Sequence, residues 1–181
     1  MIQPDAAPSA AIIARYLRAK DAQVPHLYRQ VFVPDSLFTT TFTGPSPFGE
    51  RPPQRGLAAI TDTFRQLGQR CENIVTVVPT ESISEQDGIL TSRWVVAMTI
   101  REQPAGFTGW GTYRWVLDAG GLRARELHVT FEGMAPLDGE SAPVVLDRML
   151  SLSHPWCSTA DLRSATDDLP LLAELRAWVG A

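Results

Sequence analysis

The sequence is poor in lysine, cysteine and histidine. Among sixteen basic residues only Lys20 is a lysine. The cysteines are Cys71 and Cys157, and the histidines are His26, His128 and His154. Cysteines this sparse fit a reducing compartment; they show no metal-ligand spacing, and a disulfide between them stays open without support from the sequence. Long hydrophobic runs are also missing, which excludes a membrane-spanning helix. Met1-Ile2-Gln3-Pro4 lacks the pattern of a signal peptide, so a cytoplasmic location is expected. An excess of positive charge is absent: the formal net charge is −4, which leaves no electrostatic footprint for nucleic acid. There is no internal repeat and no low-complexity run.

What is present is alternation. The 181 residues suit one domain plus an extension. From Ile89 to Ile100, Leu90, Ser92, Trp94, Val96, Met98 and Ile100 share one face. Arg93, Val95, Ala97 and Thr99 share the other. A period of two over this length predicts a strand with one buried face. Glu102 to Gly106 reads as a turn, and Phe107 to Leu117 as the next strand. That strand carries aromatics on both faces, so alternation leaves its inward face open. Gly109 and Gly111 flank Trp110, which predicts a bulge or a close backbone approach. After the turn Asp118-Ala119-Gly120-Gly121, the segment Leu122 to Phe131 alternates again. Leu127, Val129 and Phe131 face one way; Glu126, His128 and Thr130 face the other. Turns this short make the strands an antiparallel meander.

The rest of the chain supplies a cover. Ser9 can cap a helix with Ile12, Ile13, Tyr16 and Leu17 along one stripe. A second helix is expected from Asp21, with Pro25 in its first turn and Pro34-Asp35 at its end. Ser36 to Thr43 alternates as a strand, Gly44 to Arg55 reads as a long loop, and Gly56 to Gln69 as a third helix. Glu72 to Ser84 is a strand, and Asp87-Gly88 a hairpin turn. Beyond the linker Asp138 to Pro143, helices are expected over Val144 to Leu152 and Thr166 to Val179. A capping box stands at Ser158-Thr159-Ala160-Asp161. Helices gathered on one face of an antiparallel sheet make an α+β fold.

From about Ser9 to Leu137 the chain resembles the nuclear transport factor 2-like superfamily. That superfamily includes SnoaL-like polyketide cyclases, ketosteroid isomerases and limonene epoxide hydrolases. The matching words are Ala14-Arg15-Tyr16, Val31-Phe32-Val33-Pro34-Asp35, Gly56 with Ile60 and Phe64-Arg65-Gln66, and Gly121-Leu122. The resemblance implies a cone-shaped, curved antiparallel sheet packed against three N-terminal helices. A helical C-terminal extension over 138–181 would follow the 9–137 domain. It also implies an inner face holding Phe38, Thr40, Phe42, Trp94, Val96, Met98, Trp110, Thr112, Arg114, Arg125, Leu127, Val129 and Phe131.

The departures from the family bear on chemistry. Tyr16 falls where the isomerases place an oxyanion-stabilising tyrosine. The position of their aspartate base is Thr40, and that of their second oxyanion donor is Thr112. Two supporting tyrosines fall at Phe32 and Phe64. The acid of the cyclases and epoxide hydrolases falls near Leu127. Threonine has no carboxylate to take a proton, so base chemistry of the isomerase type is not supported.

The expected catalytic set is therefore Tyr16, Arg114 and Arg125, stabilising negative charge without metal or organic cofactor. Phe38, Thr40, Phe42, Phe64, Trp94, Met98, Trp110, Thr112, Leu127 and Val129 would line the substrate. The plainer alternatives are a core tyrosine, two solvated rim arginines and core-filling tryptophans. His26, Asp35 and His128 are secondary acid–base candidates; His154-Pro155-Trp156-Cys157 reads as structural. The expected partner is a small hydrophobic ligand, cyclic or polyketide-like, in bacterial secondary metabolism. A homodimer is expected through an outer face carrying Val95, Ala97, Tyr113, Trp115 and His128. Three functions stay open: a cofactor-free cyclase, isomerase or dehydratase; a non-catalytic binding domain; and a scaffold with a plugged pocket. An empty cone on the order of a few hundred Å³ would favour a ligand.

Overall fold

The computed structural model describes residues 10–44, 49 and 52–180. Helix α1 spans Ala10–Asp21 and buries Ile12, Ile13, Tyr16 and Leu17, the stripe expected from their spacing. The Ser9 cap lies outside the described residues. The second helix is shorter than expected. A 3₁₀ turn at Pro25–Leu27 leads into α2, Tyr28–Val31, and Phe32 already opens strand β1, Phe32–Phe42. Pro34 therefore sits in a strand and ends no helix. It falls where the register shifts between Phe32 and Leu37, a place that tolerates a residue with no N–H to give.

Strand β2, Gln54–Arg55, pairs with β1 at Leu37 and Phe38. Helix α3, Leu57–Arg70, follows Gly56, whose φ of +87° suits a residue without Cβ. Then come β3 (Cys71–Pro79), β4 (Ser84–Gln86), β5 (Ile89–Ile100), β6 (Ala105–Leu117) and β7 (Ala124–Asp138). Asp87 and Gly88 take φ of +52° and +74° between β4 and β5, as a two-residue hairpin turn requires. The extension forms α4 (Ser141–Leu150), β8 (Trp156–Cys157), α5 (Thr159–Thr166) and α6 (Ala173–Gly180). Ser158 caps α5 as its sequence suggests, its Oγ accepting from the Asp161 N–H at 3.0 Å.

The strand order is β2-β1-β7-β6-β5-β3-β8, with β4 on β5. Pairing is antiparallel except at β1/β7 and β3/β8, which are parallel. The sheet has two cores, one per face. The inner core holds Tyr16, Tyr28, Phe64, Trp94, Tyr113 and Trp115, under α1, α2 and α3. The outer core holds Val75, Val77, Val95, Ala97 and Trp110 against Val145, Met149, Leu162, Leu172 and Leu175 of the extension.

Register settles the face that alternation left open, against the expectation. Trp94 pairs with Gly111, Val96 with Gly109 and Met98 with Phe107. Directly opposed residues share a face. The inward series on β6 is therefore Phe107, Gly109, Gly111, Tyr113 and Trp115. Trp110, Thr112 and Arg114 point outward. Arg125 is displaced by a register shift: Leu117 pairs with Ala124 but Val116 with Glu126. The extra residue is Arg125, and it is exposed. Near Trp110 the register also shifts, but the extra residue is Glu132 on β7; β6 itself shows the close approach, where the Thr130 carbonyl leaves no room for a Cβ on Gly111.

The same register corrects the dimer face. Tyr113 and Trp115 lie in the inner core. Val95 and Ala97 are covered by this chain's own C-terminal helices. His128 stays on the outer face, with Nδ1 2.5 Å from Thr39 Oγ1 and Nε2 3.0 Å from Glu126 Oε2.

Candidate functional site

Between α1, α3 and the inner face lies a cavity of about 90 Å³. Phe38, Thr40 and Phe42 of β1, Phe64 of α3, Trp94 and Met98 of β5, and Val129 of β7 line it, as the sequence leads one to expect. So does Tyr16. Leu127 faces inward and is fully buried, but belongs to the core behind the cavity wall. Trp110, Thr112, Arg114 and Arg125 are not in it: Trp110 is in the outer core and both arginines are exposed. His26 and Asp35 are exposed too, so no acid–base role in the cavity attaches to them.

Two residues that the sequence did not single out for the cavity are central to it. Tyr113 lines the wall, and its hydroxyl hydrogen-bonds that of Tyr16. The rings meet edge to face, 5.6 Å between centroids. Trp94 stacks on Tyr113 at 5.3 Å, and its indole N–H has no partner among the described residues. Burial pushes the Tyr16 hydroxyl well above the usual phenol range, helped by coupling to Tyr113 and Asp21. Tyr113 is raised likewise, first by burial and then by the charge of Asp21. Both phenols are therefore neutral hydrogen-bond donors at any ordinary pH.

Lys20 is the second. It lies four residues after Tyr16 on α1, so the two side chains share a helix face. It is 8 % exposed and lines the cavity. Its Nζ donates to Thr76 Oγ1 at 2.8 Å and to the Asp21 carboxylate. Asp21 in turn accepts from the Thr76 backbone N–H at 2.9 Å, and His154 Nε2 lies 3.6 Å from its Oδ2. Burial acts to raise the Asp21 pKa. The Lys20 charge and the hydrogen bonds from His154, Lys20 and Thr76 outweigh it and hold the carboxyl below its usual value. An ammonium has three donors. Two are spent on Asp21 and Thr76, which leaves one for the cavity.

The site is thus an aromatic chamber with a donor cluster: two neutral phenols and one paired ammonium. No carboxylate or imidazole lines it among the described residues. Nor do those residues group three or more His, Cys, Asp or Glu side chains that could hold a metal. His154 and Cys157 keep structural surroundings: Cys157 pairs with Pro79 through β8, and burial pushes its thiol up to about 12. Among the described residues no helix is long and apolar enough to cross a membrane.

No protein-family model matches the sequence, and no curated protein matches it. Solved structures do match. An LEH-like epoxide hydrolase from M. tuberculosis is 15 % identical with a TM-score of 0.53, over 79 % of this chain and 92 % of that one. A nuclear transport factor 2-like protein of unknown function from Burkholderia pseudomallei is 13 % identical with a TM-score of 0.58, over 70 % and 92 %. A ketosteroid isomerase-like protein from Catenulispora acidiphila, in complex with trimethylamine, is 12 % identical with a TM-score of 0.54, over 65 % and 82 %. Identity this low speaks for shape alone. The helices over a curled sheet, the strand order and these likenesses agree: this chain has the nuclear transport factor 2-like fold.

Proposed function

We propose that the cone is a binding pocket for a small, largely apolar molecule carrying one oxygen acceptor, such as a ketone. The observation that carries this is the lining. Apolar walls surround the polar groups of Tyr16, Tyr113 and Lys20. Because one phenol gives its proton to the other, a desolvated carbonyl oxygen there meets a single free O–H that stays protonated. The Lys20 ammonium disfavours a cationic guest.

Size narrows the ligand. A cavity of about 90 Å³ is below the few hundred Å³ expected from the sequence. It is also below the roughly 150 Å³ of a dry engineered cavity that holds benzene. The favoured guest is a compact carbonyl compound and not a polycyclic polyketide. Trp94 lines the cavity, so its fluorescence reports occupancy. Titration with acetone, cyclopentanone and a steroid ketone should saturate for the small ketones and not for the steroid. Failure of every small ketone to saturate, or tighter binding of the steroid, sinks this reading.

Turnover is the second reading, favoured by the donor cluster itself. With Arg114 and Arg125 outside, the stabilisation of an enolate falls to Tyr16, Tyr113 and Lys20. This would be cyclase, isomerase or dehydratase chemistry that uses only side chains. Deuterium exchange at the ketone α-carbon, followed by NMR in D₂O, separates it from plain binding. Exchange no faster than in buffer leaves a binding domain. A homodimer would use the uncovered outer face around Thr39, Glu126 and His128; sedimentation at micromolar concentration tests that.

A further inference from the structure

A larger cavity, about 420 Å³, lies on the other side of the sheet, where β5 and β6 meet the C-terminal helices. Arg93 lines it. Arg93 and Thr112 are directly opposed in the β5/β6 pair, on the outward series, so guanidinium and hydroxyl stand side by side. Arg93 Nη1 donates to the Trp178 carbonyl at 3.2 Å, and the guanidinium carbon lies 4.9 Å from the Trp178 ring centroid. Those contacts fix the head and leave most of its five donors unused. Among the described residues no carboxylate forms an ion pair with Arg93, and the Thr112 hydroxyl has no hydrogen-bond partner. The acid on the rim, Glu81, is already engaged. Its Oε2 accepts from Thr159 N at 3.0 Å and Thr159 Oγ1 at 3.1 Å.

We infer that this cavity is a second small-molecule site, and that it takes a small monoanionic carboxylate. A planar guanidinium with free N–H groups matches a carboxylate in a two-pronged geometry. Thr112 adds one more donor to the same oxygens. One arginine near two anions, Glu81 and the Glu132 carboxylate that accepts from the Trp178 indole N–H at 2.7 Å, suits a single negative charge and opposes a dianion such as phosphate. The guanidinium lies over the Trp178 ring, so a carboxylate held on Arg93 sits beside that indole and perturbs it. The volume falls within the range of small-molecule pockets, which the cone does not reach. This inference does not depend on what the cone binds.

Benzoate is the probe. Titrated into ¹⁵N-labelled full-length protein near neutral pH, it should shift the Trp178 indole resonance saturably, with a Kd of about 1 mM. The resonance is assigned by its loss in Trp178→Phe. Arg93→Gln should weaken benzoate about tenfold or more, and Thr112→Val about threefold, as expected for loss of one charged and one neutral hydrogen-bonding partner. Benzylamine should leave the resonance in place. Arg93 also holds α6 through Trp178, so Arg93→Gln could free that helix; Thr112→Val removes no hydrogen bond to α6 and then decides alone. The inference is overturned by no saturation up to about 50 mM. It is equally overturned by an unchanged Kd in Thr112→Val, by phosphate binding more tightly than benzoate, or by shifts confined to Trp94.

Discussion

Lys20 and Asp21 are neighbours in sequence and both nearly buried, at 7 % and 8 % side-chain exposure. Each makes the other tolerable there. Removing one partner of such a pair leaves an unpaired buried charge, at a cost of about 3–5 kcal/mol. Asp21→Asn should therefore destabilise strongly in urea titrations, and Lys20→Met with Asp21→Asn should recover part of the loss. Asp21 also fixes an acid response. Its folded pKa is depressed, so the unfolded chain binds the proton more readily. Its contribution is full above the ordinary carboxylate value and is lost as pH falls through the depressed one. Midpoints measured from neutral pH down through the acid range should drop less in the double variant than in the wild type. For ligand binding, Tyr16→Phe and Tyr113→Phe should each weaken a small ketone by about tenfold while the protein stays folded, since one phenol donates to the guest and the other orients it through the bond between the two hydroxyls. Unchanged affinity in both would show that the phenols are only core. Tyr16 was legible because helical spacing places it on the inner stripe. Lys20 falls four residues later on that stripe, a signal open to view but obscured by the rarity of buried lysine.

On the scale of elements, β5 and β7 could be read from alternation, because each has one apolar face. β6 could not. Phe107, Tyr113 and Trp115 belong to the inner core and Trp110 to the outer one, so both faces are apolar and the period carries no sign. The hairpin count supplies what composition withholds: once Trp94 is placed inside, its partner Gly111 fixes every other residue of β6. Arg125 escaped because a bulge of one residue leaves no mark in the hydrophobic pattern. The bulge that β7 makes opposite Trp110 gives its own prediction. The Trp110 indole lies over Gly133, where an added Cβ would collide with the ring. Gly133→Ala should push Trp110 out of the outer core and cost about 1–3 kcal/mol. Thermal unfolding and near-ultraviolet circular dichroism would show it, and an unchanged spectrum would refute the placement.

At the scale of the whole molecule the extension is a second half of the interior. Its helices were legible in part: α4 falls on Val144 to Leu152 and the capping box marks α5, but the helix expected over Thr166 to Val179 is broken, with a 3₁₀ turn at Pro170–Leu172 before α6. The surface they cover was not legible, since apolar residues on a sheet's outer face read equally well as a partner's landing site. A chain ended at Asp138 should expose Val75, Val77, Val95 and Trp110 together. Such a patch makes a protein self-associate. Gel filtration of the shortened chain should show aggregates or no soluble protein; a well-behaved monomer would mean that the outer core contributes little. The extension also changes what the rim of the sheet can do. Along the far margin of β3, Val78 N–H is taken by the Pro155 carbonyl at 2.8 Å and Thr76 N–H by Asp21. A foreign strand arriving there finds successive outward amides already spoken for, one by the tail and one by the first helix. At these two positions β3 is closed to templated addition, by contacts that also anchor the lysine.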